Sequence, residues 1–301
     1  MSTDLDDLLV RTSRTFAMSI PLLPEPTRRE VEIAYLLFRI ADTFEDATLW
    51  PPERKVAALE LFGEILAAPP DPEVVARASR AWVDDPPETH HQGYLDLLAA
   101  SAAVMEAFWN LSDAARDVIR RHLSRTIDGM ARFVSSGDGS AGIRLDSIAE
   151  LRDYCYVVAG IVGEMLTDLY LLDMPDLDGV APALRQRARD FGEGLQLVNI
   201  LKDSTTDRAE GRVFLPRAVD RDEVFALAHR GLDRAAEYTL ALQCASAPRG
   251  MVEFNAVPIL LARATLDTVQ RDGPGSKIDR SEVFRLVAEM SRRLDAGEDV
   301  V

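Results

Sequence analysis

The period of its hydrophobic residues limits what this chain can fold into more than any other feature. Over most of its 301 residues they recur every three or four positions, the spacing of one α-helical face. No alternating stretch is long enough to build a sheet. The spacing predicts helices over 29–49, 52–68, 94–109, 112–134, 147–172, 183–207, 223–244 and 251–271, and a last one from 281 to about 294. Proline and glycine punctuate them at 67–72, 85–93, 135–142, 173–182, 210–216 and 271–276. Ser147, with Glu150 three residues on, reads as a capping box that opens a helix. No repeat, low-complexity tract or linker divides the chain, so one all-α domain over 1–301 is expected.

Charge narrows the range of partners. The formal net charge is −16, a field that repels nucleic acid and anionic membrane surfaces. An anionic substrate would need metal cations or a local basic cluster to offset it. Cys155 and Cys244 form no CxxC and are too few for a disulfide framework, so reduced thiols are expected. The start, MSTDLDDLLV, is acidic where a signal peptide is basic and then apolar. No apolar run approaches the roughly 20 residues of a membrane helix. The expectation is a cytoplasmic monomer or homodimer without a transmembrane segment.

The segment YLLFRIADTFEDATLW packs three carboxylates into DTFED. On a helix Asp42 and Asp46 share a face, and Arg39 and Tyr35 extend that face backwards. Like charges four residues apart disfavour an isolated helix. A solvated face with Arg39 paired to Asp42 and a cation-binding face both satisfy this stretch alone. In LQLVNILKDSTTDRAEGRVFLP the device recurs: Gln196, Asn199, Asp203 and Asp207 fall on one face, with Arg208 and Arg212 close to the helix end at Gly211. Asn199 is a poor choice for a helix interior unless its amide has a task. Hard oxygen ligands in pairs suit Mg²⁺, which takes one or two carboxylates, keeps waters and bridges to substrate phosphates. The positive charge these acids await is thus a metal brought together with a diphosphate.

Other metal chemistries fit worse. His90, His91, His122 and His229 form neither an HExxH nor a zinc spacing. No Glu-x-x-His pair suggests a di-iron bundle, and Gly192-Glu-Gly194 inside a helical pattern is not a dinucleotide fingerprint.

These motifs, in this order, resemble the squalene/phytoene synthases, which join two prenyl diphosphates head to head. The likeness rests on TSRTFAMSI at 12–20, on YLLFRIADTFED, on YCYVVAGIVGEML at 154–166, on NILKDSTTDRAEGRVFLP, and on EFNAVPILLARATL with SKIDR. The Asp-Thr-x-Glu-Asp wording and the last two stretches are closer to the squalene branch. The resemblance implies an all-α isoprenoid-synthase bundle around an apolar cavity, with aspartates at its mouth. It implies that Asp42, Asp46, Asp203 and Asp207 hold Mg²⁺, and that Ser13, Arg14, Arg39, Lys202 and Arg212 bind diphosphate. Tyr35 and Arg39 would serve the leaving group, Tyr154 would assist proton removal, and Phe254 would face a carbocation. NADPH, where used, would meet Asn199, Lys202, Lys277 and Arg280.

Read from the residues alone, Tyr154 and Phe254 are better explained as core aromatics. Two departures from the family pattern stand out. Lys202 replaces a frequent arginine and loses its bidentate fork, and Thr206 replaces an acid. Asp279 also stands where a cation is expected in the cofactor loop.

The implied activity is condensation of two farnesyl diphosphates through presqualene diphosphate to squalene, with peripheral membrane contact for product release. The alternatives are an unreduced product (presqualene diphosphate, dehydrosqualene or phytoene), a terpene cyclase using one prenyl diphosphate, and a non-catalytic helical assembly factor. Silent relatives typically lose the metal aspartates, and all four are present here.

Overall fold

The computed structural model describes residues 4–13, 15–69, 71–87, 91–136, 142–216 and 219–301. Arg14 and His90 lie outside the described residues. The fold is all-α, as the periodicity predicts. Among the described residues the only strand-like pairing is a parallel bridge between Arg144 and Val213. The chain packs as two compact units, one of residues 1–20 and 25–143, the other of residues 21–24 and 144–301.

The first unit contains α1 (Leu5–Thr12), α2 (Thr15–Ser19), α3 (Thr27–Glu45), α4 (Pro52–Ala67), α5 (Pro72–Asp84), α6 (Gln92–Ala99), α7 (Ser101–Trp109) and α8 (Asp113–Ser135). Its core is the apolar face of α3, where Ile33, Leu36, Leu37, Ile40 and Phe44 are fully buried. Phe44 meets Trp82 of α5 at 4.8 Å and Phe62 of α4 at 6.1 Å between ring centroids. Aromatic pairs at such distances add to plain burial and fix the angle of the helices that carry them.

Three expectations change here. Helix α3 ends at Glu45 rather than near Leu49: Asp46 N–H makes the last bond of α-helical spacing, to the Asp42 carbonyl, and Ala47 and Trp50 bond back only three residues, to Phe44 and Ala47. The expected helix 94–109 is two helices that meet at Ala100, whose φ of −92° and ψ of 3° leave the helical region. Helices α1 and α5 escape the periodicity because one is short and acidic and the other lies between proline-rich breaks. Asp4 and Asp71 cap them, each accepting a backbone N–H two residues on, at 3.1 and 2.9 Å.

The second unit contains α9 (Ile148–Cys155), a π-helical turn (Tyr156–Gly160), α10 (Ile161–Asp173), α11 (Ala181–Ala209), α12 (Arg221–Cys244), α13 (Arg249–Asp272) and α14 (Arg280–Asp295). The Ser147 hydroxyl accepts from Glu150 N–H at 3.2 Å, and the Glu150 carboxylate accepts from Asp146 N–H at 2.7 Å. Helix α11 lies against its neighbours through glycines. A Cβ on Gly192 would sit 1.9 Å from the Ala159 carbonyl oxygen, and one on Gly163 would sit 1.9 Å from that of Ala188. The Gly192-Glu-Gly194 pair therefore serves close helix packing. Contrary to the expectation, the run Ile148–Asp173 is long and apolar enough, by length and composition, to cross a membrane. Of its most apolar window 56% is buried within the protein, the condition of a core helix.

Candidate active site

In the first unit the predicted stripe forms on α3. Arg39 Nη1 lies 3.2 Å from Asp42 Oδ2. The Arg39 guanidinium lies over two phenol rings, 5.6 Å from the Tyr35 centroid and 5.2 Å from that of Tyr94. Tyr35 Oη donates to the Thr12 carbonyl at 3.0 Å, which ties α3 to the end of α1. Ser13 Oγ accepts from Phe16 N–H at 3.0 Å, which leaves its own O–H able to donate. Burial opposes the charge on Arg39, but Asp42 and the two phenols hold its pKa above the usual value. Burial pushes Asp42 up to about 6 against the pull of Arg39, and Asp46 adds to the rise. Both aspartates lie at the C-terminal end of α3, where the helix dipole already gathers negative charge. Lys55, itself buried, relieves part of it by donating to the Glu45 carbonyl at 2.8 Å.

The second unit builds its counterpart from a helix end. Helix α11 closes in a Schellman motif: Gly211 has a φ of +85°, its N–H reaches the Arg208 carbonyl at 3.2 Å, and Arg212 N–H reaches that of Asp207 at 2.8 Å. That turn folds Arg212 over the helix it has just left. Its Nη2 meets Asp207 Oδ1 at 3.0 Å and Glu210 Oε2 at 2.6 Å. Asp203 lies one turn earlier, with Lys202 Nζ at 3.1 Å. Ile200, Ser204, Asp207, Arg212 and Phe214 line a small crevice at this end.

Tyr154 is buried and stacks on Phe214 at 4.7 Å between centroids. It stands two residues before the π turn, a helix defect frequent at functional sites. Phe254 is fully buried, on α13.

Asn199 is exposed on α11. Lys277 and Arg280 are also exposed. Gly275 N–H donates to the Lys202 carbonyl at 2.7 Å, which docks the loop bearing Lys277 onto α11. Arg280 belongs to α14 rather than to that loop. Asp279 is the N-cap of α14, accepting from Glu282 N–H at 2.8 Å and from Ser281 Oγ at 2.6 Å. Tyr94 and Phe214 are the members that sequence reasoning missed. Tyr94 carries no motif signal, whereas Phe214 lies inside the quoted GRVFLP.

Among the described residues no group of three or more His, Cys, Asp or Glu gathers to hold a metal. Each aspartate pair offers at most two carboxylates, with an arginine already in contact. That donor set does not suit a structural metal but fits Mg²⁺, which completes its shell with water and phosphate oxygens.

Comparison with known proteins decides the family. The sequence model for squalene/phytoene synthase matches residues 9–224. The chain belongs to the squalene/phytoene synthase family. That match takes in both aspartate stripes and Tyr154, and ends before Phe254 and the Lys277 loop. A squalene synthase of Schizosaccharomyces pombe is 32% identical over 218 residues, 70% of this chain and 43% of that protein. Lycopaoctaene synthase of Botryococcus braunii is 28% identical over 219 residues, 71% of this chain and 44% of that one. The alignments cover less than half the length of these two relatives. Among solved structures, a ligand complex of TcSQS superposes with a TM-score of 0.77 at 27% identity, covering 97% of this chain and 88% of that one. A dehydrosqualene synthase shares the fold, with a TM-score of 0.55 at 16% identity over 97% of this chain and 95% of that one.

Proposed function

We propose that the chain is a prenyltransferase that condenses two farnesyl diphosphates head to head, through presqualene diphosphate, to squalene, with Mg²⁺ and NADPH. The observation that carries this reading is the repeated device: an aspartate pair one helical turn apart with an arginine on one member, Arg39–Asp42 at 3.2 Å and Arg212–Asp207 at 3.0 Å. Family membership and the squalene synthase relatives support it.

Asp42 and Asp46, and likewise Asp203 and Asp207, would hold Mg²⁺, which when bound neutralises diphosphate and makes it a better leaving group. Arg39, Tyr35, Ser13 and Arg14 orient one diphosphate, and Lys202 and Arg212 serve the same chemistry on α11. Departure of diphosphate leaves an allylic cation, which water would quench. Apolar burial around Phe254 excludes water, and its ring face stabilises positive charge. Attack by the second prenyl chain releases a proton, and Tyr154 assists its removal. Loss of the remaining diphosphate from presqualene diphosphate would leave a second cation, and Asn199, Lys202, Lys277 and Arg280 would meet the phosphates of NADPH, which when bound would supply the hydride that quenches it.

A second reading stops before reduction. It is favoured by Asp279, a carboxylate in the loop that would meet the cofactor's phosphates. Mass spectrometry of products from farnesyl and geranylgeranyl diphosphate, each with and without NADPH, separates the two. Squalene only with NADPH is the expected result. The same unreduced hydrocarbon or presqualene diphosphate at every NADPH concentration would leave the second reading standing. Release of one diphosphate per product, with a cyclic product, would mean a cyclase.

A further inference from the structure

Arg39 does not stand alone against Asp42. Its guanidinium lies over both Tyr35 and Tyr94, and among the described residues its buried Nε has no hydrogen-bond partner. A buried N–H without an acceptor is costly, and the cost is removed when an anion arrives. Tyr94 comes from α6, far from α3 in sequence, and several contacts fix its place. Gly93 lets the start of α6 press against α1, where a Cβ would sit 2.1 Å from the Arg11 carbonyl oxygen. Arg11 pairs with Asp96, and Gln92 Nε2 donates to Asp96 at 3.0 Å. His91 stacks on the Tyr94 ring at 4.2 Å.

We infer that Tyr94 is a positioning residue: its ring, with that of Tyr35, clamps the Arg39 guanidinium in the orientation that presents its unengaged Nε–H to the diphosphate. The inference rests on the proposed reading of Arg39 as a diphosphate ligand. Arginine loses much rotamer freedom when it binds an anion, and a preformed clamp supplies that order in advance. The ring is the working part, so phenylalanine should serve where leucine fails.

The test is calorimetric titration of the purified full chain with inorganic pyrophosphate in excess Mg²⁺, alongside thermal melts. Arg39→Ala and Tyr94→Leu should each raise the dissociation constant about tenfold. Tyr94→Phe should stay within about threefold of the parent, because the ring remains. The double variant Arg39→Ala/Tyr94→Leu should bind no more weakly than Arg39→Ala, since the clamp has nothing left to hold. Parent-like binding by Tyr94→Leu overturns the inference, as does failure of Tyr94→Phe to rescue, or additive losses in the double variant. If Tyr94→Leu does not fold, Tyr94→Met carries the same arm. If Arg39→Ala itself binds as the parent does, the reading of Arg39 as a diphosphate ligand fails, and the clamp with it.

Discussion

Asp42 sits where a carboxylate is least welcome, near the C-terminal end of a helix, partly buried and one turn from Asp46. Its pKa of about 6 records that conflict: at pH 7 the group is ionised at the expense of stability. Asp42→Asn should therefore melt at or above the parent in metal-free buffer while losing turnover. The loss should be about 3 kcal/mol of transition-state stabilisation, roughly a hundredfold or more in rate. Parent-like turnover in limiting Mg²⁺ would remove Asp42 from the site.

Glu32 gives a second residue-scale prediction. Its side chain is fully buried between Arg29, at 2.7 Å, and the Asp6 carboxyl. Burial first, and then the bond shared with Asp6, pushes it up to about 7. The folded state thus holds a proton that the unfolded chain releases near 4.5. That contribution is complete below the unfolded value and is lost as pH rises towards 7. It is worth at most about 3 kcal/mol. Urea unfolding at pH 5 and pH 8 should show the parent losing stability across that interval, and Glu32→Gln showing a flatter profile.

At the scale of elements, glycines set how closely helices pack. Gly163→Ala and Gly192→Ala each drive a methyl into a neighbouring carbonyl and should cost about 1–3 kcal/mol or more as helices move apart. Gly179→Ala, with open space around its Cβ, should be near neutral in the same melts. The cap on α14 changes how the cofactor loop must be probed. Asp279→Arg removes a helix cap along with a charge, so a lower melting point would accompany any gain in NADPH affinity. Asp279→Asn keeps the cap and removes the charge. It should tighten NADPH binding without a loss of melting point, as a fluorescence titration beside a melt would show.

Long helices with an unbroken apolar stripe, such as α8, α12 and α13, were readable within a few residues. The division at Ala100 was not, because both sides keep the same stripe and only backbone geometry separates them. Both aspartate pairs were legible since a single helix turn relates their members. Tyr94 was not, because nothing local to α6 reports that an arginine from α3 arrives over its ring. The ion pair between Arg212 and Asp207 needed the reversal at Gly211, whose glycine was visible but whose outcome depends on the turn it adopts.

For the whole molecule the relevant quantity is the charge of −16. Mg²⁺ and inorganic pyrophosphate together should raise the melting temperature more than either alone, because a ligand pair that binds only the folded state stabilises it by mass action. Sodium chloride at matched ionic strength controls for plain screening of self-repulsion. The combined shift should vanish in a variant carrying both Asp42→Asn and Asp203→Asn, and its persistence there would place the anion elsewhere.

The π turn at Tyr156–Gly160 bears on heredity as well as on shape. A wider turn holds one residue more than the helix around it requires, so it behaves as an old insertion that was never smoothed away. Deleting one codon within it would remove that extra residue and leave a regular α-helical turn, with Tyr154 still in register with Thr167 and Tyr170, whereas the same deletion in the first turn of α10 would rotate Tyr154 by about 100° relative to both. Single-codon deletions should therefore be commoner among functional descendants of this gene within the π turn than in the first turn of α10.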